Sequence, residues 1–303
     1  MRQRILGRPS PRHRRDQWRA SNTDPPGQPA GVVRYVKAGA DGGDGASPST
    51  PFGTITQALV GIPAGATIAI AKGSYTEYVP ITRAITLLGA CAEQTVITAP
   101  SRTASRGTID IGAAATLKNL QVKGPRPGVW ILKNADFAVL KGVIVRKAEL
   151  VGVFVSDNGR AQLEDVLIEQ TLPDPANGTL GRALQVLSGG QVKGTGVVAD
   201  KKRDVSITLD GAGCSLDVND LVVRDTQSEL ASSAFGQSLE VRYGARATIT
   251  RALFERNRNL AVAIDQAGSA VTLTDVVVQD TLAQENNRRY GGGLEAKPGV
   301  SVT

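Results

Sequence analysis

The residue types that most often carry protein chemistry are scarce in this chain. Its 303 residues include one histidine, His13, and two cysteines, Cys91 and Cys214. Because no histidine follows His13, the body of the chain cannot run a Ser-His-Asp or Cys-His mechanism, and it cannot build a zinc site that uses histidine. The two cysteines lack metal-type spacing, so we interpret them as small buried residues and predict no metal site.

A second set of residues has types suited to binding. An apolar–x–apolar triplet recurs along the chain, and its middle residue is aromatic, polar or small. These middle residues are Trp130, Phe154, Gln185, Thr208, Glu240, Ala263 and Glu295. Because apolar flanks face a core, the triplets predict an external column in which Trp130 and Phe154 are stacked neighbours. Such aromatics stack on sugar rings or take a partner; the alternative is that a loop or the N-terminal tail covers them, or that they are isolated surface aromatics.

Basic residues and inserted loops alternate at one position of the pattern. The loops span residues 172–182, 226–237 and 281–292, and they predict either a binding site or tolerated surface insertions. The basic turns contain Arg146-Lys147, Lys201-Lys202-Arg203, Arg256 and Arg258, with Arg224 nearby. They form either a stripe that binds acidic glycans or, because acids interrupt them, a salt-bridged face, which we favour. The candidate binding residues are therefore Trp130, Phe154, Gln185, Glu240, Arg146, Arg224 and Arg256.

The charge distribution argues against nucleic acid as a partner. The formal net charge is +7, but the first 22 residues hold seven arginines and one acid, which leaves about +1 for the other 281 residues. A nearly neutral body gives no reason to expect DNA or RNA binding. No stretch approaches a membrane span, and no apolar signal-peptide region is visible near the N-terminus. Residues 1–31 are predicted to be a disordered basic tail; the oligomeric state is left open.

Internal periodicity predicts the elements that position these residues. The middle residues of successive triplets are 24, 31, 23, 32, 23 and 32 positions apart, and each triplet is followed by a turn and another short strand. Short strands at this period indicate a solenoid whose coils stack about 4.8 Å apart. We predict an all-β fold, a right-handed parallel β-helix over residues 32–303, with a cap segment at 32–66.

The two ends of the predicted solenoid differ. Thr50 is a plausible N-cap, Pro51 fits the first helical position and Gly61 fits the stop, which together predict a short capping helix. The chain reaches Thr303 partway into a coil, so the C-terminal end is expected to be uncapped or truncated.

Several segments resemble bacterial pectin-lyase-like β-helix proteins. The resemblance rests on Arg34-Tyr35-Val36, Asp41–Gly45, Pro51–Ile55, Gly73–Glu77 and Ile85–Gly89, in that order. Later phrases, such as Val223–Thr226 and Phe254–Arg258, are similar to the repeats of large myxobacterial surface proteins. The resemblance implies the fold and suggests an extracellular or cell-surface location. It does not imply one activity, because this fold carries lyases, hydrolases, esterases, adhesins and inert scaffolds.

Two phrases also resemble motifs of pectin methylesterases. These are Gly73-x-Tyr75-x-Glu77 and Gln279-Asp280-Thr281-Leu282. The resemblance would make Gln279 an oxyanion stabiliser and Asp280 an acid/base, and Asp225 occupies the corresponding position one double repeat earlier. The nucleophile motif expected one coil later is replaced by Gly291–Ala296, and the recurrence of the phrase indicates that the repeat itself produces it.

Together these observations favour a non-catalytic extracytoplasmic or cell-surface scaffold that binds polysaccharide or a protein partner. The alternatives are a lyase or carbohydrate esterase acting on an acidic polysaccharide such as pectin, and a structural module without a ligand. No cofactor is expected, and calcium would be needed only by a lyase.

Overall fold

Short strands and turns wind the chain into a right-handed parallel β-helix in a computed structural model that describes residues 31–102, 106–133, 135 and 137–303. The basic tail predicted for residues 1–31 lies outside the described residues except for Gly31. Each full coil contributes strands to three faces, and the strands of successive coils pair in parallel.

The faces are built from strands of two to ten residues. The first face contains β1 (Val33–Val36), β2 (Thr67–Ile70), β5 (Ile85–Gly89), β8 (Ala115–Lys118), β11 (Ala138–Lys141), β14 (Arg160–Glu164) and β25 (Ser301–Val302). The second face contains β3 (Gly73–Thr76), β6 (Thr95–Thr98), β9 (Gln121–Lys123), β12 (Ile144–Arg146) and β15 (Leu167–Glu169). Four long strands continue from the first face to the second and join them into one 16-stranded sheet: β17 (Gln191–Asp200), β19 (Ser215–Arg224), β21 (Arg246–Glu255) and β23 (Ala270–Gln279).

The third face is a separate nine-stranded sheet. Its strands are β4 (Val79–Ile81), β7 (Ile109–Ile111), β10 (Val129–Ile131), β13 (Val151–Val155), β16 (Arg182–Leu187), β18 (Val205–Asp210), β20 (Gln237–Arg242), β22 (Leu260–Asp265) and β24 (Gly292–Ala296). These strands contain the apolar–x–apolar triplets, so the periodicity in the sequence correctly predicted this sheet.

The core consists of apolar columns that run along the helix axis. Leu117, Leu140 and Leu163 pair in register on the first face, and all three are fully buried. Burying such a side chain contributes about 1.5–3 kcal/mol. Because each coil contacts its neighbours, the stability of the fold is the sum of many such contacts between coils.

Turns between the faces use the left-handed backbone conformation repeatedly. In six successive coils the residue directly after the second face has a φ between 51° and 61°; these residues are Lys147, Gln170, Lys201, Asp225, Arg256 and Asp280. Asp and Asn tolerate this conformation better than most side chains. Asp225 and Asp280, which begin the repeated Asp-Thr phrase, suit this turn, and the other four positions hold Lys, Gln or Arg.

The capping helix is present but begins later than predicted. Helix α1 spans Ile55–Leu59, its N-cap is Thr54, and Thr54 and Gln57 form a capping box. The prediction of Thr50 as the N-cap was wrong. Ile55 and Ala58 are buried and join the core, which seats α1 against the first coils.

The Gly73–Glu77 segment makes hydrogen bonds that stabilise this N-terminal region. The Tyr75 side chain is buried, and its hydroxyl donates to the carbonyl oxygen of Ala71 at 2.8 Å. The carboxylate of Glu77 accepts hydrogen bonds from the backbone N–H groups of Ile55 and Thr56, each at 2.8 Å. Glu77 thus satisfies donors that a helix N-terminus leaves unpaired. These contacts give the phrase a structural role in this chain.

Candidate binding face

The middle residues of the triplets form a continuous column on the outer side of the third face. Strand pairing places each of them directly beside the next, and it adds Asp110, which pairs with Trp130. We call this column the outward ladder: Asp110, Trp130, Phe154, Gln185, Thr208, Glu240, Ala263 and Glu295. The predicted coil spacings of 24, 31, 23, 32, 23 and 32 residues are all confirmed by the register.

Trp130 and Phe154 form an aromatic pair in the ladder. Their ring centroids are 4.4 Å apart, with the planes tilted by 54°. The residues that flank them, such as Val129 and Val153, are fully buried, whereas both aromatic side chains are half-buried. The predicted contact between the two rings is confirmed, although neither ring is as open as an isolated surface aromatic would be. The indole Nε1 atom is buried and has no hydrogen-bond partner among the described residues.

One end of the ladder carries an acidic group that the sequence reasoning missed. Asp110 is buried; Oδ2 accepts from the Tyr78 hydroxyl at 2.5 Å and Oδ1 accepts from the backbone N–H of Gly107 at 2.9 Å. Burial raises the pKa of Asp110, and burial together with this hydrogen bond raises the pKa of Tyr78 to about 12. The guanidinium of Arg126 lies 5.1 Å from the Tyr78 ring centroid. The triplet Ile109-Asp110-Ile111 has the same apolar–x–apolar pattern as the others. This pattern was the signal that could have placed Asp110 in the ladder.

The middle of the outward ladder is only partly accessible to solvent. Thr208 is fully buried, so it offers no surface, while Gln185 and Glu240 are half-buried. Glu240 pairs with Arg242 at 3.6 Å, and Arg242 pairs with Asp210 at 2.8 Å. Burial raises the pKa of Glu240, against the opposing effect of nearby arginines. The ladder therefore has two accessible regions, around the aromatic pair and around Glu240.

The three candidate arginines, Arg146, Arg224 and Arg256, lie elsewhere, and each is ion-paired. Arg146 contacts Glu93 at 3.1 Å and Glu169 at 2.5 Å, and Arg224 contacts Asp200 at 3.2 Å. Arg146, Glu169, Asp200, Arg224, Glu255 and Gln279 pair in this order along the second face. The salt-bridged face, which was the favoured interpretation of the basic turns, therefore describes the surroundings of Arg146 and Arg224.

The candidate catalytic residues lie at the turn after the second face. Gln279 donates through Nε2 to Glu255 at 2.8 Å, and Asp225 is paired with Arg256 at 2.8 Å. Arg256 also contacts Glu255 at 2.7 Å. Asp280 follows Gln279 in the left-handed turn conformation with a φ of 55°. These residues are not brought to the ladder, which lies on the third face.

The three inserted loops stack on one another beside the third face. The backbone N–H of Ala231 donates to Gly178 at 3.1 Å, and that of Asn286 donates to Ser233 at 2.9 Å. Gly181, Gly236 and Gly291 have φ values of 108°, 106° and 98°, a conformation that glycine adopts readily where each loop turns back towards the third face.

Two of the three loops carry an exposed aromatic residue directly before this glycine. Phe235 and Tyr290 are 41% and 61% exposed. Both have a positive φ, as Leu180 does at the equivalent position, and their rings lie beside the ladder.

No three His, Cys, Asp or Glu side chains converge as they would around a metal ion within the part of the chain that the structure describes. Cys214 is buried, Cys91 is partly buried, and both are free thiols. None of the described helices is long and apolar enough to span a membrane.

Comparisons with known proteins identify the fold. No family model and no curated relative matches the chain. Pectate lyase Pel9A is similar with a TM-score of 0.60 and 12% identity, over 89% of this chain and 76% of that one. Pectin methylesterase PemA from Erwinia chrysanthemi matches at 0.49 and 13% identity, over 89% of this chain and 92% of that one. The carrot pectin methylesterase matches at 0.47 and 13%, over 92% and 90%. Identities this low show the fold alone, and that fold is the pectin-lyase-like right-handed parallel β-helix.

Proposed function

We propose that this protein is a non-catalytic, extracytoplasmic or cell-surface β-helix that binds a polysaccharide along its outward ladder. The aromatic pair Trp130 and Phe154 is the stacking platform of the site, and Gln185 is the adjoining hydrogen-bonding residue. The location follows from the proposal, since a polysaccharide ligand is met outside the cytoplasm or at the cell surface.

The single observation that carries this proposal is the aromatic pair itself. Two rings on adjacent coils present a half-buried apolar surface on the outer side of a rigid sheet. The C–H face of a sugar ring packs on such a surface, while polar neighbours accept or donate hydrogen bonds to its hydroxyl groups. Gln185, which is half-buried beside Phe154, supplies such a polar neighbour, whereas Asp110 on the other side is buried and bonded to Tyr78.

The alternative, a lyase or esterase acting on acidic polysaccharide, has less support. The Gln-Asp-Thr phrase occupies a turn position that recurs coil after coil, and Gln279 contacts Glu255 rather than facing the ladder. Arg146, Arg224 and Arg256, which would attract a polyanion, already neutralise carboxylates.

The test combines a glycan array with calorimetry on the full chain. Trp130→Ala should weaken binding of the selected glycan about ten-fold, which corresponds to about 1.4 kcal/mol. Phe137→Ala removes an exposed aromatic before β11 on another face and is the matched control, with unchanged affinity expected. Equal affinity of Trp130→Ala and the unmodified protein would overturn the proposed site. Product release from pectin, alginate or glycosaminoglycan would favour the enzyme alternative.

A further inference from the structure

A cavity lies at the other end of the outward ladder. It has a volume of about 300 Å³ and lies between the outer side of the third face and the stacked loops 226–237 and 281–292. Ala263 is a small residue between Glu240 and Glu295 in the ladder, which leaves room between the two carboxylates. Phe235 and Tyr290, the exposed aromatics of the two loops, line the same cavity.

Two buried side chains in the wall of this cavity each have an amide oxygen without a partner among the described residues. The side chains of Gln237 and Asn259 are only 7% and 5% exposed, and both residues line the cavity. Gln237 Oε1 and Asn259 Oδ1 have no hydrogen-bond partner among the described residues. A buried acceptor without a donor costs about 1–3 kcal/mol, so these oxygens favour a ligand that brings N–H or O–H groups.

The charges around the cavity define the ligand further. Glu240, Asp265 and Glu295 contribute carboxylates, and the one cation among the lining residues, Lys297, is held by Asp265 at 2.7 Å. Arg242, which is not part of the lining, shares its charge between Glu240 and Asp210. The lining is therefore net negative and repels an acidic sugar. Its aromatic rings also favour a cation, because a ring face attracts positive charge.

We infer that this cavity binds a protonated amino-sugar unit through Gln237, Asn259, Glu240 and Glu295, with Phe235 and Tyr290 against its ring. The inference rests on the proposed function, since the unit belongs to a glycan that follows the ladder. Such a ligand is opposite in charge to pectin. Its ammonium group faces the carboxylates, and its hydroxyl groups donate to the two amide oxygens.

The ligand class is tested by titrating the full chain with a glucosamine trisaccharide, its N-acetylated counterpart and a galacturonate trisaccharide. The amine form is expected to bind about ten-fold tighter than the acetylated form, because acetylation removes the charge. The galacturonate trisaccharide is expected to bind least. Equal or tighter binding of galacturonate would overturn the inference.

Single substitutions in the cavity lining test where the ligand binds. Glu295→Gln and Tyr290→Ala should each weaken glucosamine binding about ten-fold. Glu229→Gln lies on the first of the two loops outside the cavity lining and is the charge-matched control. Unchanged affinity in both cavity variants would overturn the site. Binding that depends on Trp130 but not on Glu295 would refute this inference alone, whereas dependence on Glu295 but not on Trp130 would refute the proposed platform alone.

Discussion

The Tyr78 hydroxyl donates a 2.5 Å hydrogen bond to the carboxylate of Asp110, which pairs in register with Trp130. This contact holds a buried carboxyl group at the end of the outward ladder, next to the aromatic platform. It also links the residue before β4 to β7, and these two strands are successive on the third face.

The buried carboxyl of Asp110 predicts a pH-dependent contribution to stability. Burial raises its pKa in the folded state, so the folded protein binds this proton more readily than the unfolded chain. The contribution is fully present below the ordinary aspartate pKa of about 4 and is lost as the pH rises through the folded-state pKa. Asp110→Asn should therefore raise the melting temperature, relative to the unmodified protein, more at pH 7 than at pH 4. Asp217→Asn, at an exposed position in β19, is the control, and an equal shift at both pH values for Asp110→Asn would contradict the assignment.

Lys202 should produce the opposite dependence. Its side chain is fully buried, and Nζ donates to the carbonyl oxygen of Asp200 at 3.2 Å. Burial lowers its pKa well below the ordinary value, although Asp200 and Glu169 oppose this effect. The unfolded chain then binds more protons, so stability relative to Lys202→Met should increase from pH 7 towards pH 10, near the ordinary lysine pKa of about 10.4.

Chemical denaturation across this pH range measures the effect of Lys202. Lys193→Met, at an exposed position of the same strand β17, is the matched control and should show little pH dependence. A difference between Lys202→Met and the unmodified protein that stays constant with pH would show that Lys202 does not titrate as its burial requires.

Asp280 tests the structural origin of the Gln-Asp-Thr phrase. It is exposed and has a φ of 55°. Asparagine tolerates this conformation, whereas a β-branched side chain costs about 1–3 kcal/mol there. Asp280→Asn should therefore keep the melting temperature and Asp280→Val should lower it. Equal melting temperatures for the two variants would remove the turn explanation.

Glu77 should stabilise the N-terminal cap. Its carboxylate accepts two backbone hydrogen bonds at the start of α1, and losing comparable capping contacts costs about 0.5–2 kcal/mol. Glu77→Ala should lower the free energy of unfolding by about this amount, while Glu77→Gln keeps an acceptor and should retain part of it. Denaturation curves of both variants test the assignment, and an unaltered curve for Glu77→Ala would contradict it.

The register of the third face could be predicted from the sequence because each coil carries its own local pattern. Apolar residues on both sides of Trp130 and Phe154 are enough to specify which side chains point outward. The same pattern could have included Asp110, whose neighbours Ile109 and Ile111 are fully buried.

Other features depended on partners far apart in the sequence. The start of α1 is determined partly by Glu77, 22 residues after Ile55, so local cap preferences indicated the wrong residue. Arg146 pairs with Glu93, 53 residues away, and no local pattern predicts that contact. The cavity beside Ala263 requires the stacking of two loops, which residue types alone do not specify.

The most direct measurement of the central claim uses the fluorescence of Trp130. The chain has two tryptophans, so Trp18→Phe leaves Trp130 as the only one. In that variant, titration with the glycan selected on the array should change the emission saturably, with the same dissociation constant as calorimetry. Phe154→Ala should weaken both signals together, since the two rings form one platform. Calorimetric binding that leaves the Trp130 emission unchanged would contradict polysaccharide binding on the outward ladder.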